Sequence, residues 1–208
     1  MKLRFLPCIL SIVFMLTGCS ASLFPEEEKQ DTWANSGSIA IGHSLTIQNS
    51  DNKFSLLDNI DVLSAEGLYY AAWTMGSCEP YVNSEGDTVD LYDAHLYLLL
   101  GEYPDSSEAQ NNMGKWIDAG KTNYEIIEEE ETVCNGQAYH LLTYNCISEG
   151  NPYDRGISAF GICRNNAVCI ELTCRENFGQ DLRAIMINFL NNCTYSDTAT
   201  ALPLAADT

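Results

Sequence analysis

The sequence predicts an α+β domain: a mainly antiparallel sheet with two amphipathic helices, arranged as an α/β/α sandwich. Three observations predict it. Short strand-like stretches recur, bounded by turn residues. Two stretches, 105–119 and 178–192, switch instead to helical spacing. Residues 89–103 are apolar on both faces, as a central strand covered from both sides must be. Runs of antiparallel strands with two helices belong to layered α+β domains.

The elements follow in order. Residues 39–48 and 54–57 read as short strands separated by the turn-rich Asn49-Ser50-Asp51-Asn52. Residues 68–74 are aromatic and apolar, again strand-like. In 89–103, Tyr92, Ala94, Leu96, Leu98 and Leu100 share one face, and Tyr97 and Leu99 lie on the other. The period then changes: Ala109, Met113, Trp116 and Ile117 recur at helical spacing, with Asp105 and Glu108 set as a capping box and Gly120 as terminator. Strands 124–133 and 138–147 flank Asn135-Gly136, the strongest short hairpin signal. A second hairpin, 156–163 and 168–174, flanks Asn165-Asn166, and Val168, Ile170, Leu172 and Cys174 make one apolar face. The last element is a helix striped by Phe178, Leu182, Ile185, Met186, Phe189 and Leu190, with Asn177 as N-cap. Residues 39–195 thus form one domain, and 196–208 a loose polar tail.

The start of the chain has a different character. Lys2 and Arg4 head an apolar stretch, 5–16, interrupted by Pro7 and followed by Thr17, Gly18 and Cys19. That is the layout of a secretory signal, and the stretch is shorter than the roughly 20 residues a spanning helix needs. Leu16-Thr17-Gly18-Cys19 resembles the lipobox of bacterial lipoproteins. The resemblance implies a signal peptide over 1–18, cut between Gly18 and Cys19. Acyl chains such as palmitate on Cys19 would then anchor the chain to the cell membrane, facing outside the cytoplasm. Residues 19–38 hold Pro25, Glu26-Glu27-Glu28 and Asn35-Ser36-Gly37-Ser38, and read as a flexible tether.

Charge narrows the partners. Ten Lys+Arg stand against 29 Asp+Glu, a net charge of −19, and the signal would remove two of the ten cations. Nucleic-acid binding runs on Lys and Arg contacts to phosphate, so it is excluded as a function class. Anionic head groups would repel the chain, leaving the lipid to do the anchoring.

The pattern over residues 54–195 resembles the PsbP-like α/β/α sandwich of photosystem II extrinsic subunits and small bacterial lipoproteins. Carrying the resemblance are Asn135-Gly136-Gln137-Ala138-Tyr139, the Asn165-Asn166 hairpin, and the closing 178–195 segment ending in Asn-Cys-Thr-Tyr. It implies a mostly non-enzymatic superfamily whose members serve as binding or assembly factors.

Cys8 would leave with the signal and Cys19 would be lipidated, so seven cysteines remain: Cys78, Cys134, Cys146, Cys163, Cys169, Cys174 and Cys193. An odd count outside the cytoplasm leaves at least one thiol free. Cys163 and Cys169 are the candidate disulfide: one register of the second hairpin sets them directly opposite each other, near the spacing a disulfide needs. A tight two-residue Asn-Asn turn instead sets Cys163 opposite Val168, and the sequence leaves both open. Small buried hydrophobes are the other reading of these cysteines. A zinc site is disfavoured, because Cys169-x₄-Cys174 falls on opposite strand faces.

No nucleophile elbow, metalloprotease helix, phosphate loop or dinucleotide fingerprint is present. No catalytic residue is assigned and no cofactor is expected. Of His43, His95 and His140, His95 sits in the apolar strand and reads as a packed core histidine. The loop from Asn83 carries Asp87, Asp90 and Asp93, weak calcium candidates against the simpler reading of a polar turn. Glu128 to Glu131 reads as a solvated charge run. Tyr69, Tyr70, Trp73, Tyr81, Tyr92, Tyr97 and Tyr103 suit either a sugar- or peptide-binding groove or plain packing. The function expected is a membrane-anchored, non-enzymatic binding or assembly module for an envelope protein; the alternative is a small-ligand or calcium-binding lipoprotein.

Overall fold

A stretch whose two faces are both apolar has to lie inside a sheet, and the computed structural model places 89–103 there. It describes residues 37–49, 53–64, 67–83, 86–148 and 150–196. The expected signal peptide, the lipobox with Gly18 and Cys19, nearly all of the tether, and the tail after residue 196 lie outside the described residues. The elements run β1 (Ser38–Ile41), β2 (Leu45–Gln48), β3 (Ser55–Ser64), β4 (Leu68–Val82), β5 (Thr88–Glu102), α1 (Ser106–Asn123), β6 (Tyr124–Cys134), β7 (Gln137–Cys146), β8 (Arg155–Cys163), β9 (Asn166–Cys174), α2 (Leu182–Asn191) and β10 (Cys193–Tyr195). Seven strands form one sheet in the order β3-β4-β5-β9-β8-β7-β6, and β1-β2-β10 form a small second sheet. Every pairing is antiparallel.

β5 lies third in the large sheet and β9 fourth, and all nine residues of β9 are buried. Consecutive residues of these strands serve different cores. Leu96, Leu98, Ala159, Ile170 and Leu172 join Trp73, the α2 side chains Ile185, Met186, Phe189 and Leu190, and Ile41, Leu45 and Ile47 of the small sheet. Phe160 and Cys169, one residue along from Ala159 and Ile170, join Leu142, Ala167 and the α1 residues Ala109 and Trp116. Side chains alternate along a strand, so these clusters lie on opposite faces. Each fully buried Leu or Ile contributes about 1.5–3 kcal/mol.

Several boundaries differ from the sequence expectation, each for a local reason. Residues 39–48 are a hairpin rather than one strand, turned at Gly42 with φ +57°. A Cβ at Gly42 would lie 2.7 Å from Glu102 Oε1 and 2.9 Å from the Tyr69 ring, so only glycine fits. Asp105 caps α1 as expected, accepting from the Ser107 and Glu108 amides. The helix runs on through Gly120 to Asn123, with Gly120 buried beside Leu142 and Phe160. α2 starts at Leu182 under an Asp181 cap, later than expected from Asn177. Phe178 stays in a turn, its carbonyl accepting from Arg155 Nη2 at 2.7 Å.

The Asn135-Gly136 turn forms as expected, both residues at positive φ. The second hairpin is corrected. Arg164 takes φ +60° and Asn166 already pairs with Cys163, so the turn is Arg164-Asn165 rather than Asn165-Asn166. The charge run is exposed at Glu128, Glu129 and Glu131, as a solvated run should be, but it is not a strand end or a loop. It forms the middle of β6, where Glu129 meets Lys121 and His140, Glu130 meets Arg183, and Glu131 meets His140.

Candidate functional site

The shifted turn decides the cysteine question against both registers considered. Cys163 stands opposite Asn166, and Cys169 opposite Phe160 on one side and Leu99 on the other. Cys163 and Cys169 are therefore not partners, and no disulfide is closed among the cysteines of the described residues. The acidic loop does not converge either. The Asp93 carboxylate accepts from both the amide and the hydroxyl of Ser77 at 2.7 Å, and these bonds hold its pKa below the usual carboxylate value. The Asp87 amide donates to Asn83 Oδ1 in a tight turn, and Asp90 is exposed on β5. Among the described residues no group of three His, Cys, Asp or Glu is placed to hold a metal ion.

The aromatic residues before α1 do not line one groove. Trp73 is buried beneath Phe189 of α2, and Tyr69 lies edge-on to His43. Tyr70 stacks on Tyr97, which belongs to the opposite face. An open cleft of about 170 Å³ beside the start of α2 is lined by Lys53, Phe54, Asp181, Ile185 and Asn188. A more unusual arrangement lies on the α1 face, beyond the apolar patch that α1 covers.

There the sheet carries polar side chains from five strands. Glu171 of β9 is 5% exposed. The Ser158 hydroxyl on β8 donates to its Oε2 and the Tyr124 hydroxyl on β6 to its Oε1, both at 3.2 Å. The Tyr124 ring stacks on Tyr144 of β7, centroids 4.0 Å apart and planes 8° apart. Tyr144 reaches toward Glu171 by lying over Gly156, where a Cβ would sit 2.5 Å from its hydroxyl. Burial pushes the Glu171 carboxyl up to about 7 although the hydroxyls of Ser158, Tyr124 and Tyr144 all pull it down.

One row further along, His95 of β5 stands directly opposite Thr173 of β9. His95 Nδ1 lies 2.6 Å from the Tyr97 hydroxyl, and burial lowers the imidazole to about 4, so it is neutral at physiological pH. Tyr153, from the segment between β7 and β8, closes over it with ring centroids 5.2 Å apart. His95 Nε2 and Thr173 Oγ1 are buried without a hydrogen-bond partner. A buried polar atom left unpaired costs about 1–3 kcal/mol, so two in adjacent positions stand out on this face. His95 was expected to be a packed core histidine, and it is. Glu171, Ser158, Tyr124, Tyr144 and Thr173 were missed, although a lone acid inside Val168-Cys169-Ile170-Glu171-Leu172-Thr173-Cys174 was the available signal.

Chemically the arrangement holds a carboxyl that titrates near neutrality between two hydroxyl donors, beside a neutral imidazole. Glu171, Tyr144, Tyr153, Thr173 and His95 are all buried, whereas Tyr124 and Tyr97 are half-buried. No protein-family model matches the chain, and no curated protein matches it. Among solved structures, the solution structure of the cyanobacterial PsbP of Synechocystis sp. PCC 6803 is similar at 14% identity and a TM-score of 0.37, covering 67% of this chain and 99% of that one. A Pseudomonas aeruginosa protein of unknown function, PA94, is similar at 14% identity and a TM-score of 0.30, covering 49% of this chain and 85% of that one.

Proposed function

We propose that this chain is a bacterial lipoprotein, cut between Gly18 and Cys19 and lipidated on Cys19. In this reading a PsbP-like α/β/α sandwich domain is held outside the cytoplasm as a non-enzymatic binding or assembly module for an envelope protein. The observation that carries it is the signal layout ending in Leu16-Thr17-Gly18-Cys19, followed by a polar stretch up to β1 at Ser38. The two core clusters, one containing α1 and the other α2, favour the sandwich. Among the described residues no helix is long and apolar enough to cross a membrane, and in this reading the lipid does the holding. The burial of the polar residues on the α1 face weighs against catalysis there.

The test is Cys19→Ala in a bacterial host, followed by membrane fractionation. In the membrane fraction the parent is expected cut and labelled by radioactive palmitate and the variant uncut and unlabelled, and a variant that is cut or labelled like the parent overturns the reading. In-cell crosslinking of the tagged chain then distinguishes an assembly module, which enriches one envelope protein, from a small-ligand binder, which enriches none. The small-ligand reading is favoured by one observation, the two unpaired polar atoms of His95 and Thr173.

A further inference from the structure

Helix α2 and strand β6 run side by side from a shared ion pair. Arg183 Nε donates to Glu130 Oε1 at 2.6 Å, near the start of the helix and in the second half of the strand. From there the helix to Asn191 advances about 12 Å and the strand to Cys134 about 13 Å, so the two ends arrive together. They do meet: the Asn135 amide donates to Asn191 Oδ1 at 3.1 Å, and Asn135 Nδ2 donates to the Cys193 carbonyl at 2.8 Å. Alternation puts Cys134 on the same face as Glu130, the face that α2 covers. Cys134 and Cys193 are each 2% exposed and belong to one apolar cluster.

We propose that Cys134 and Cys193 are a disulfide pair, closed as the chain folds in the presence of a disulfide oxidant. No strand separates them. The other pair of cysteines at neighbouring strand ends differs in this respect. The Cys146 amide donates to the Asp154 carbonyl, and the Asp154 amide to the Cys174 carbonyl. That backbone intervenes, and two strand spacings of about 4.8 Å exceed the roughly 7 Å between Cα atoms that a disulfide spans.

The reaction is exchange. One protein thiolate attacks a sulfur of oxidised glutathione and expels one glutathione thiol, leaving a mixed disulfide. The second protein thiolate attacks the protein-bound sulfur of that bond and expels the other glutathione thiol. Two protein thiols have then lost two electrons and two protons, and two glutathione thiols carry them. Burial raises both thiols once the corner has closed, Cys193 to about 12, so the bond is made before closure is complete. The pairing rests on the extracytoplasmic reading only for where an oxidant is met in the cell.

The test supplies its own oxidant. The full chain is reduced, unfolded, refolded in glutathione buffer, alkylated and digested without reduction. The expected product is a peptide joining Cys134 to Cys193, with a melting temperature several degrees above that of the reduced chain. A Cys134→Ser, Cys193→Ser double variant is expected to melt at the same temperature with and without reductant. Recovery of both cysteines alkylated overturns the proposal, as does linkage of either to another cysteine such as Cys163, or a double variant that keeps the shift. The mapping uses the unaltered chain, so it decides even if the variant fails to fold. Because refolding needs no membrane, failure of the anchoring reading shows in the fractionation and not here.

Discussion

The two faces of the seven-stranded sheet are made by the same strands, residue by residue, and they solve different problems. The face toward α2 is lined by Trp73, Leu96, Leu98, Leu100, Leu141, Ile157, Ile170 and Leu172, and it meets a helix stripe and a second small sheet. The face toward α1 is apolar only where Leu142, Phe160, Ala167 and Cys169 meet the helix. Beyond them it turns to Glu171, Ser158, Tyr124, Tyr97 and His95. Burial therefore says little about the chemistry of a face. One face gains its stability from fit, while the other contains groups whose protonation is set by being buried.

That contrast can be broken most forcefully at Leu98, which is 0% exposed. Leu98→Ala is expected to cost about 2–5 kcal/mol in urea unfolding, the range for cavities in well-packed cores. A loss under about 1 kcal/mol would mean that this face is loosely packed.

The polar face should respond to pH instead. Glu171 rises from an ordinary 4.5 to about 7, so the folded chain holds its proton more tightly than the unfolded chain does. Its stabilising contribution is full below about pH 4.5 and is lost as pH climbs to about 7, amounting to about 3 kcal/mol. His95 falls from 6.5 to about 4 and has the opposite sense: its contribution is present above 6.5 and lost as pH falls toward 4. Between about pH 4.5 and 6.5 the two slopes oppose each other. Glu171→Gln is expected to gain stability relative to the parent as pH rises through that window, and His95→Phe to gain as it falls, both read from denaturation midpoints across pH. Parallel curves for the parent and either variant would show that the group titrates alike in the folded and unfolded chain.

The smallest effect is the most discriminating. Thr173→Val removes an unpaired hydroxyl while keeping the shape, and is expected to leave stability unchanged or raise it by about 1 kcal/mol. A clear loss in thermal melts would show that Oγ1 holds a guest in solution.

Much of the fold was legible because its signals were local. The Asp105 cap, the Asn135-Gly136 turn and the two-faced 89–103 strand all rest on neighbours in sequence. Errors came where a local signal sits among distant contacts. Gly120 reads as a helix end, but the helix continues, with Gly120 buried beside Leu142 and Phe160. Asn165-Asn166 reads as the turn, but the pairing of β8 with β9 uses Arg164 instead. The polar site was hidden for a related reason. Cys169, Glu171 and Thr173 alternate with an apolar set and resemble the outward face of an edge hairpin. Only the placement of β9 between β5 and β8 buries them.

That placement also determines how the chain can fold. The large sheet is two meanders, β3-β4-β5 and β6-β7-β8-β9, each joining neighbours in sequence and stitched at one seam where Leu98 meets Ile170. Local hairpins close quickly, whereas a seam between distant segments closes slowly. During synthesis the first meander emerges with the apolar edge of β5 bare, and it stays bare until the last strand of the second is complete. An exposed apolar edge of that length is a template for pairing with other chains. The interval before the seam closes is the period in which this protein is most prone to aggregate, and slowing the arrival of β9 should lengthen it.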